Sequence, residues 1–259
     1  MEILTNWLME HLVLGVLVMT RMSTLLMSMP SVGVGVPKRV RAFLAITLTA
    51  LVLPPVASAT PVQDLPQIDN LVELAIAIAR EGLIGLLIGA TVQLIITGLQ
   101  MGGEMITSTG GMQLGDAVDP TTSSSMPSVA RLVGLLVTAV MLLVGGHRIL
   151  LGVLLESFHA VPAGNVVFHD SMMDLVVGQL SAGMASGVRI AAPVIAALLL
   201  SNLVTGLISR TLPQINVLAI GLSINALAML VILSVTIGSV GLVFQSELAT
   251  VAAKLSRLW

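Results

Sequence analysis

The sequence predicts an all-α membrane protein of about six long, partly broken apolar helices packed in hairpins. Of its 259 residues, 56% are apolar and 9% are charged, whereas soluble proteins have about 25% charged residues. The mean hydropathy is +1.05. Six apolar runs approach or exceed the roughly 20 residues that a helix needs to cross a bilayer. These observations together indicate a bundle of membrane helices.

The six runs differ in length, which predicts that some of the helices are broken. The fifth run would reach about 50 Å as one straight helix, at about 1.5 Å per residue. Pro193 lies inside it and has no backbone N–H to donate, so we expect the helix to bend or break there. The runs cover residues 12–29, 40–59, 71–99, 129–155, 175–208 and 217–244.

The charged residues that lie inside the runs include Arg21, Arg80, Glu81 and Arg189. A charge at membrane depth costs about 3 kcal/mol or more, so it normally faces a partner or water. The aromatic belt of ordinary membrane proteins is nearly missing, with no tyrosine and two tryptophans. We therefore expect much of the helical surface, including these charges, to face protein rather than lipid.

Glycines recur at the G-x-x-x-G spacing that lets two helix backbones approach closely. Each pair is compatible with packing inside this chain or with a contact to another subunit. The pairs are Gly85/Gly89, Gly98/Gly102, Gly111/Gly115 and Gly183/Gly187.

The longest polar segment covers residues 100–131 and mixes glycines, methionines, serines and three acids. A stretch of this length between helices is usually functional, such as a lid or gate, or else disordered. Within it, "GGMQLG" places a flexible backbone around one deformable methionine. This combination suits a soft closure of a pore.

A second polar interruption, "RTLPQIN", separates the fifth and sixth runs. Pro213 ends the preceding helix, and the amides of Gln214 and Asn216 can bond backbone groups that the break leaves open. Arg210 indicates that the bend is cytoplasmic under the positive-inside rule. Composition alone favours an ordinary capped turn.

Composition and motifs exclude several classes of function. The net charge of −2 without a basic tail lacks the footprint of a nucleic-acid binder. No cysteine is present, and neither a helical zinc pair nor a phosphate-binding P-loop occurs. The chain is therefore predicted to be a non-enzyme with no cofactor and no metal.

Four blocks of sequence resemble the family of type III secretion export-gate proteins that includes FliR and SctT. They are "RMSTLLMSMPSVGVGVPKRVRAFLAITLTALVLPP" (21–55), "GGMQLGDAVDP" (110–120), "GGHRILLGVLLESFHAVPAG" (145–164) and "RTLPQINVLAIGLSIN" (210–225). The blocks occur in the family's order. The "GGH", the "SFHAVPAG" and the "DP" of the second block favour its flagellar branch, FliR, over the injectisome branch.

The resemblance implies a component of the flagellar protein export gate, in the bacterial inner membrane within the flagellar basal body. Its implied partners are FliP, FliQ and FlhB, with FlhA nearby, and its implied cargo is unfolded flagellar subunits. Residues 1–170 would be a FliP-like helical part that includes a gate or plug loop, 100–127. Residues 171–259 would be a FliQ-like helical hairpin.

The resemblance also implies roles for residues. The plug candidates are Gly110, Gly111, Met112, Gln113, Leu114 and Gly115. The subunit-contact candidates are Arg21, Arg80, Glu81 and Arg189, with pairing inside the chain as the alternative. The candidates for an FlhB-facing bend are Arg210, Pro213, Gln214 and Asn216.

Three other functions remain open at this stage. An injectisome export-gate subunit would share the fold, and a structural scaffold would share the partners. A small-molecule transporter would account for a broken helix and for charges at membrane depth. It would also predict an internal repeat, and the two halves of the sequence give no convincing one.

Overall fold

The structure, a computed structural model, describes residues 2–30, 36–59, 70–111, 128–167, 169–211 and 217–258. Within these ranges the chain forms seven α-helices and no strand, which confirms the all-α prediction. The helices are α1 (Glu2–Ser28), α2 (Lys38–Ala59), α3 (Leu71–Thr109), α4 (Ser128–Leu143), α5 (Gly146–Ala160), α6 (Asp170–Thr211) and α7 (Val217–Ser256).

Helices α2, α3 and α6 are long and apolar enough to cross a membrane among the residues described. Helices α4 and α5 meet at a bend of 66° and together form a fourth candidate span. The bend falls at Gly145, whose φ of 76° lies in the left-handed region, which side chains with a Cβ rarely occupy. The fourth predicted run is therefore broken at its glycines.

The break expected at Pro193 does not occur, because α6 continues through this residue from Asp170 to Thr211. Membrane helices tolerate an internal proline where local adjustments and neighbouring groups satisfy the freed backbone. Pro193 is exposed on α6. The prediction of a break at this proline was therefore wrong, and among the described residues the broken span is the fourth run.

The chain folds into two compact units, each assembled from segments that are distant in sequence. The first unit contains Met1–Gln93, Met141–Gln179 and Leu248–Trp259, and the second contains Leu94–Val140 and Leu180–Glu247. Helices α3, α6 and α7 each contribute to both units. The division into a FliP-like and a FliQ-like part is one of resemblance and stays a prediction.

In the first unit, α1 and the first part of α3 run parallel in close contact. A Cβ on Gly85 would overlap the backbone carbonyl of Arg21, and a Cβ on Gly89 would lie 2.8 Å from the Cβ of Ser28. Apolar side chains such as Leu17 and Ile88 fill the space around this contact and are fully buried. Helix α2 packs against α1 and α5.

In the second unit, α3 and α6 cross through glycines on both helices. A Cβ on Gly98 would overlap the backbone of Gly183, and a Cβ on Gly102 would lie 3.0 Å from the carbonyl carbon of Gly187. Glycine pairs on α3 and α6 thus pack helices inside this chain, and so does the Gly85/Gly89 pair of the first unit. The remaining predicted pair, Gly111/Gly115, includes a residue outside the described ranges.

Helices α6 and α7 form an antiparallel hairpin in the second unit. A Cβ on Gly221 of α7 would lie 3.2 Å from the Thr205 side chain of α6. At the other end of the hairpin, Ser186 Oγ donates to Glu247 Oε1 at 3.0 Å. The contacts pair late residues of α6 with early residues of α7, as a hairpin requires.

The glycine crossing makes a testable prediction about stability. Gly183→Val should lower the free energy of unfolding by about 1–3 kcal/mol through overpacking, because its Cβ would lie 2.7 Å from the Leu94 carbonyl oxygen. Gly178→Val is the matched control, since nothing lies within 4 Å of a Cβ there. Unfolding of the two detergent-solubilised variants is compared, and equal stabilities would contradict the crossing.

Candidate functional site

The first polar cluster is centred on an ion pair between α1 and α3. Arg21 Nε lies 2.5 Å from Glu81 Oε2, and both side chains are fully buried, at 0% exposure. The two side chains can meet because α1 and α3 lie side by side and contact each other at Gly85 and Gly89. Without a side chain on these glycines, the two helices are close enough for a direct ion pair.

Both charged groups have further hydrogen-bond partners from α5 and the turn after it. Arg21 Nη1 donates to Ser157 Oγ at 3.1 Å, and both of its Nη atoms donate to the Val161 carbonyl at 3.3 Å. The Gly164 N–H donates to the second Glu81 oxygen at 2.7 Å. The guanidinium also lies 4.2 Å above the centre of the Phe158 ring, a favourable cation–π distance. The cluster therefore ties α1, α3 and α5 together.

The second polar cluster lies where α3 ends, in the second unit. The Gly110 N–H donates to the Ile106 carbonyl at 2.9 Å, and the Gly111 N–H donates to the Ser108 carbonyl at 3.3 Å. Gly111 has a φ of 73°, the left-handed conformation that commonly ends a helix and strongly favours glycine. These two glycines are the first plug candidates, and they form the C-terminal cap of α3.

Side chains from the α6–α7 hairpin bond the last carbonyls of α3. Asn202 Nδ2 donates to the Thr109 carbonyl at 3.2 Å, and Asn225 Nδ2 donates to the Gly110 carbonyl at 3.3 Å. Asn225 Nδ2 also donates to Asn202 Oδ1 at 2.7 Å, and Ser201 Oγ donates to Asn225 Oδ1 at 2.7 Å. We call Ser201, Asn202 and Asn225 the asparagine network. It joins α3, α6 and α7 at one point.

The structure brings together only some of the predicted site residues. Arg21 and Glu81 pair inside the chain, which is the alternative that the sequence left open for them. Arg80 and Arg189 are exposed on α3 and α6, and their subunit contacts stay a prediction. Arg210 is exposed in the last turn of α6. Met112, Gln113, Leu114, Gly115, Pro213, Gln214 and Asn216 lie outside the described residues.

Sequence reasoning missed Asn202 and Asn225 as site residues. Asn225 is the last residue of the block "RTLPQINVLAIGLSIN", and both asparagines stand within otherwise apolar runs. A buried amide in such a run needs hydrogen-bond partners, and Asn225 is 5% exposed. The sequence shows that both amides stand in apolar runs, but the burial of Asn225 and the carbonyls that the amides bond cannot be identified without the fold.

An open groove of about 310 Å³ lies between α6 and α7 in the second unit. Its lining is apolar except for one hydroxyl, and that hydroxyl belongs to the asparagine network. The lining residues are Ala197, Leu200, Ser201, Val204, Ile224 and Ala228. Such a surface suits an apolar group rather than a polar solute. Among the described residues, no group of three His, Asp or Glu side chains could hold a metal ion.

The chain matches the family of bacterial export proteins described as "Bacterial export proteins, family 1" over residues 12–251. It therefore belongs to this family of bacterial export proteins. A flagellar biosynthetic protein FliR from Caulobacter vibrioides is 28% identical over 88% of this chain and 90% of the relative. FliR proteins from Escherichia coli and Aquifex aeolicus are 31% and 30% identical, over 72% and 76% of this chain and 69% and 74% of their own lengths. The resemblance drawn from the four sequence blocks is confirmed.

The buried ion pair makes a prediction about folding. Arg21→Met should lower the free energy of unfolding by about 3–5 kcal/mol, because it leaves the Glu81 carboxylate buried without its partner. Arg80→Met is the matched control, since Arg80 is exposed on the same helix as Glu81. The double variant Arg21→Met, Glu81→Gln should recover part of the loss. Equal free energies of unfolding for all three variants would contradict the stabilising role of the ion pair.

Proposed function

We propose that this chain is a component of the flagellar type III protein export gate. In this proposal it forms, with FliP and FliQ, the channel through which unfolded flagellar subunits cross the bacterial inner membrane within the basal body. The observation that carries the proposal is a family match over residues 12–251, together with relatives that are named flagellar biosynthetic protein FliR. Those names favour a flagellar over an injectisome gate.

The proposed role is transport without catalysis by this chain and without a cofactor. The apolar helices and the glycine crossings fit a subunit whose outer surface meets lipid or other apolar helices. Large apolar side chains are exposed along the α6–α7 hairpin, namely Leu199, Leu200, Leu203, Leu207, Leu227, Leu230, Val231 and Val235. FliP and FliQ are the proposed partners of such surfaces, and residues 171–259 are the proposed FliQ-like hairpin beside the FliP-like 1–170.

The predicted loop 100–127 is too long at its start, because residues 100–109 belong to α3. We further propose that the rest of this segment contains the plug of the closed channel. Met112, Gln113 and Leu114, between Gly111 and Gly115, are the proposed pore-facing residues. The support from the structure is indirect: the glycine cap and the asparagine network fix the point from which this segment leaves α3. A plug needs a fixed attachment, because a loop on a frayed helix end would not return to one position.

The cytoplasmic end of the α6–α7 hairpin is the proposed contact with FlhB, with FlhA nearby. Arg210 is exposed in the last turn of α6 and puts a positive charge at that end. Pro213, Gln214 and Asn216 complete the proposed FlhB-facing bend. Nucleic acid is not a proposed partner, because the net charge is −2.

Deletion of residues 112–115 tests the plug. It should produce a leak of small solutes through assembled gates that are not exporting, while the glycine cap of α3 stays intact. Deletion of 122–125 shortens the same segment equally and is the control, for which no leak is expected. Solute uptake by cells carrying each variant is the measurement. Loss of assembly without leak from the 112–115 deletion would instead indicate a structural scaffold.

Arg189 tests the proposed subunit contacts. Arg189→Leu should reduce co-purification with FliP and FliQ, because truncating one member of a buried interfacial charge pair costs about 2 kcal/mol or more. Arg39→Leu, an exposed arginine near the start of α2, is the control. The measurement is the amount of FliP and FliQ recovered with each tagged variant. An intact, stoichiometric complex with Arg189→Leu would rule out this contact.

A further inference from the structure

The end of α3 is capped by its own two glycines and, in addition, by side chains that are distant in sequence. Helix ends leave carbonyls without partners inside the helix, and in an apolar surrounding water is not available to bond them. In α3 the Thr109 and Gly110 carbonyls accept from Asn202 and Asn225. These donors lie 93 and 115 positions further along the chain. Both belong to the α6–α7 hairpin.

The hydrogen bonds of the network have a defined direction and share their donors and acceptors. Ser201 donates to the Asn225 oxygen, and the Asn225 amide donates to the Asn202 oxygen and to the Gly110 carbonyl. The Asn202 amide in turn donates to Thr109. The α3 end is therefore held only when the hairpin lies at one position, because a shift of about 1 Å takes amide–carbonyl pairs of 3.2–3.3 Å beyond hydrogen-bond range.

We infer that Asn202 and Asn225 are positioning residues that couple the α6–α7 hairpin to the end of α3. In this inference, which rests on the proposed function, the bonded state holds the closed position of the gate. Movement of the hairpin against its partner subunits releases the Thr109 and Gly110 carbonyls. The end of α3 therefore has a bonded and a released state, and the position of the hairpin decides between them.

A positioning role and a merely structural role for the two asparagines predict different effects of substitution. A structural cap would alter the stability of the fold, whereas a positioning network alters the end of α3 and the tightness of the closed gate. Asn202 suits the test because its side chain is exposed, so that Leu, which has nearly the same shape, should be tolerated. Asn225→Asp is the second variant. As a carboxylate it keeps an acceptor for Ser201, but it removes the amide that donates to the Gly110 carbonyl and to the Asn202 oxygen.

The first measurement is amide hydrogen exchange in gate complexes purified with their partner subunits. Asn202→Leu and Asn225→Asp should speed exchange of the Gly110 and Gly111 amides about tenfold, the ratio that corresponds to about 1.4 kcal/mol, a typical net value for one hydrogen bond. Exchange in the buried part of α1 should not change. Ser234→Ala is the control, because this α7 hydroxyl bonds the Val231 carbonyl of its own helix.

The second measurement is leak of small solutes through assembled gates that are not exporting. Both asparagine variants should leak more than the wild type and less than the 112–115 deletion, with co-purification of partners unchanged. Unchanged exchange at Gly110 and Gly111 would overturn the inference. So would faster exchange without leak, provided that the deletion leaks. If the 112–115 deletion does not leak, the proposed plug fails, and the inference fails with it. This outcome is recognisable because the Gly110 and Gly111 amides of the asparagine variants would still exchange faster.

Discussion

The architecture of the first unit depends on one buried ion pair. A guanidinium and a carboxylate without solvent exposure can remain inside an apolar bundle only if every strong donor and acceptor is paired. Arg21 and Glu81 meet this condition through each other, through Ser157 and the Val161 carbonyl, and through the Gly164 amide. This requirement fixes the rotation of α1 and α3 about their axes and the position of the turn after α5. The surrounding apolar contacts are less directional and could be satisfied by several arrangements.

The second unit repeats this arrangement with neutral groups. The asparagine network bonds two carbonyls at the end of α3, and the glycine crossing of α3 with α6 brings the helices within reach. The four sequence blocks thus meet in pairs. The blocks at 21–55 and 145–164 meet around Arg21, while the blocks at 110–120 and 210–225 meet where Asn225 bonds Gly110.

The sequence was sufficient for the all-α class, the family and the glycine spacing, because these follow from local patterns of hydropathy and small residues. It did not predict that α3 continues through residues 100–109 of the expected loop. It misled at Pro193, because α6 continues through this residue and membrane helices tolerate an internal proline where neighbouring groups or local adjustments satisfy the freed backbone. It left the environment of Arg21 and Glu81 open, because whether a charge pairs inside the chain depends on which helices are neighbours. The asparagine network was missed for the same reason: its two bonds to the end of α3 join residues 93 and 115 positions apart.

An electron cryomicroscopy structure of this chain assembled with its partner subunits tests the central claim most directly. The central claim is that an ion pair and hydrogen bonds within the chain, rather than contacts between subunits, fix the positions of the helices next to the proposed gate. The account predicts Arg21 within hydrogen-bond distance of Glu81, and Asn225 within hydrogen-bond distance of Gly110 in the closed state. Either charged side chain turned toward a neighbouring subunit, or a closed gate in which Asn225 does not contact α3, would contradict it.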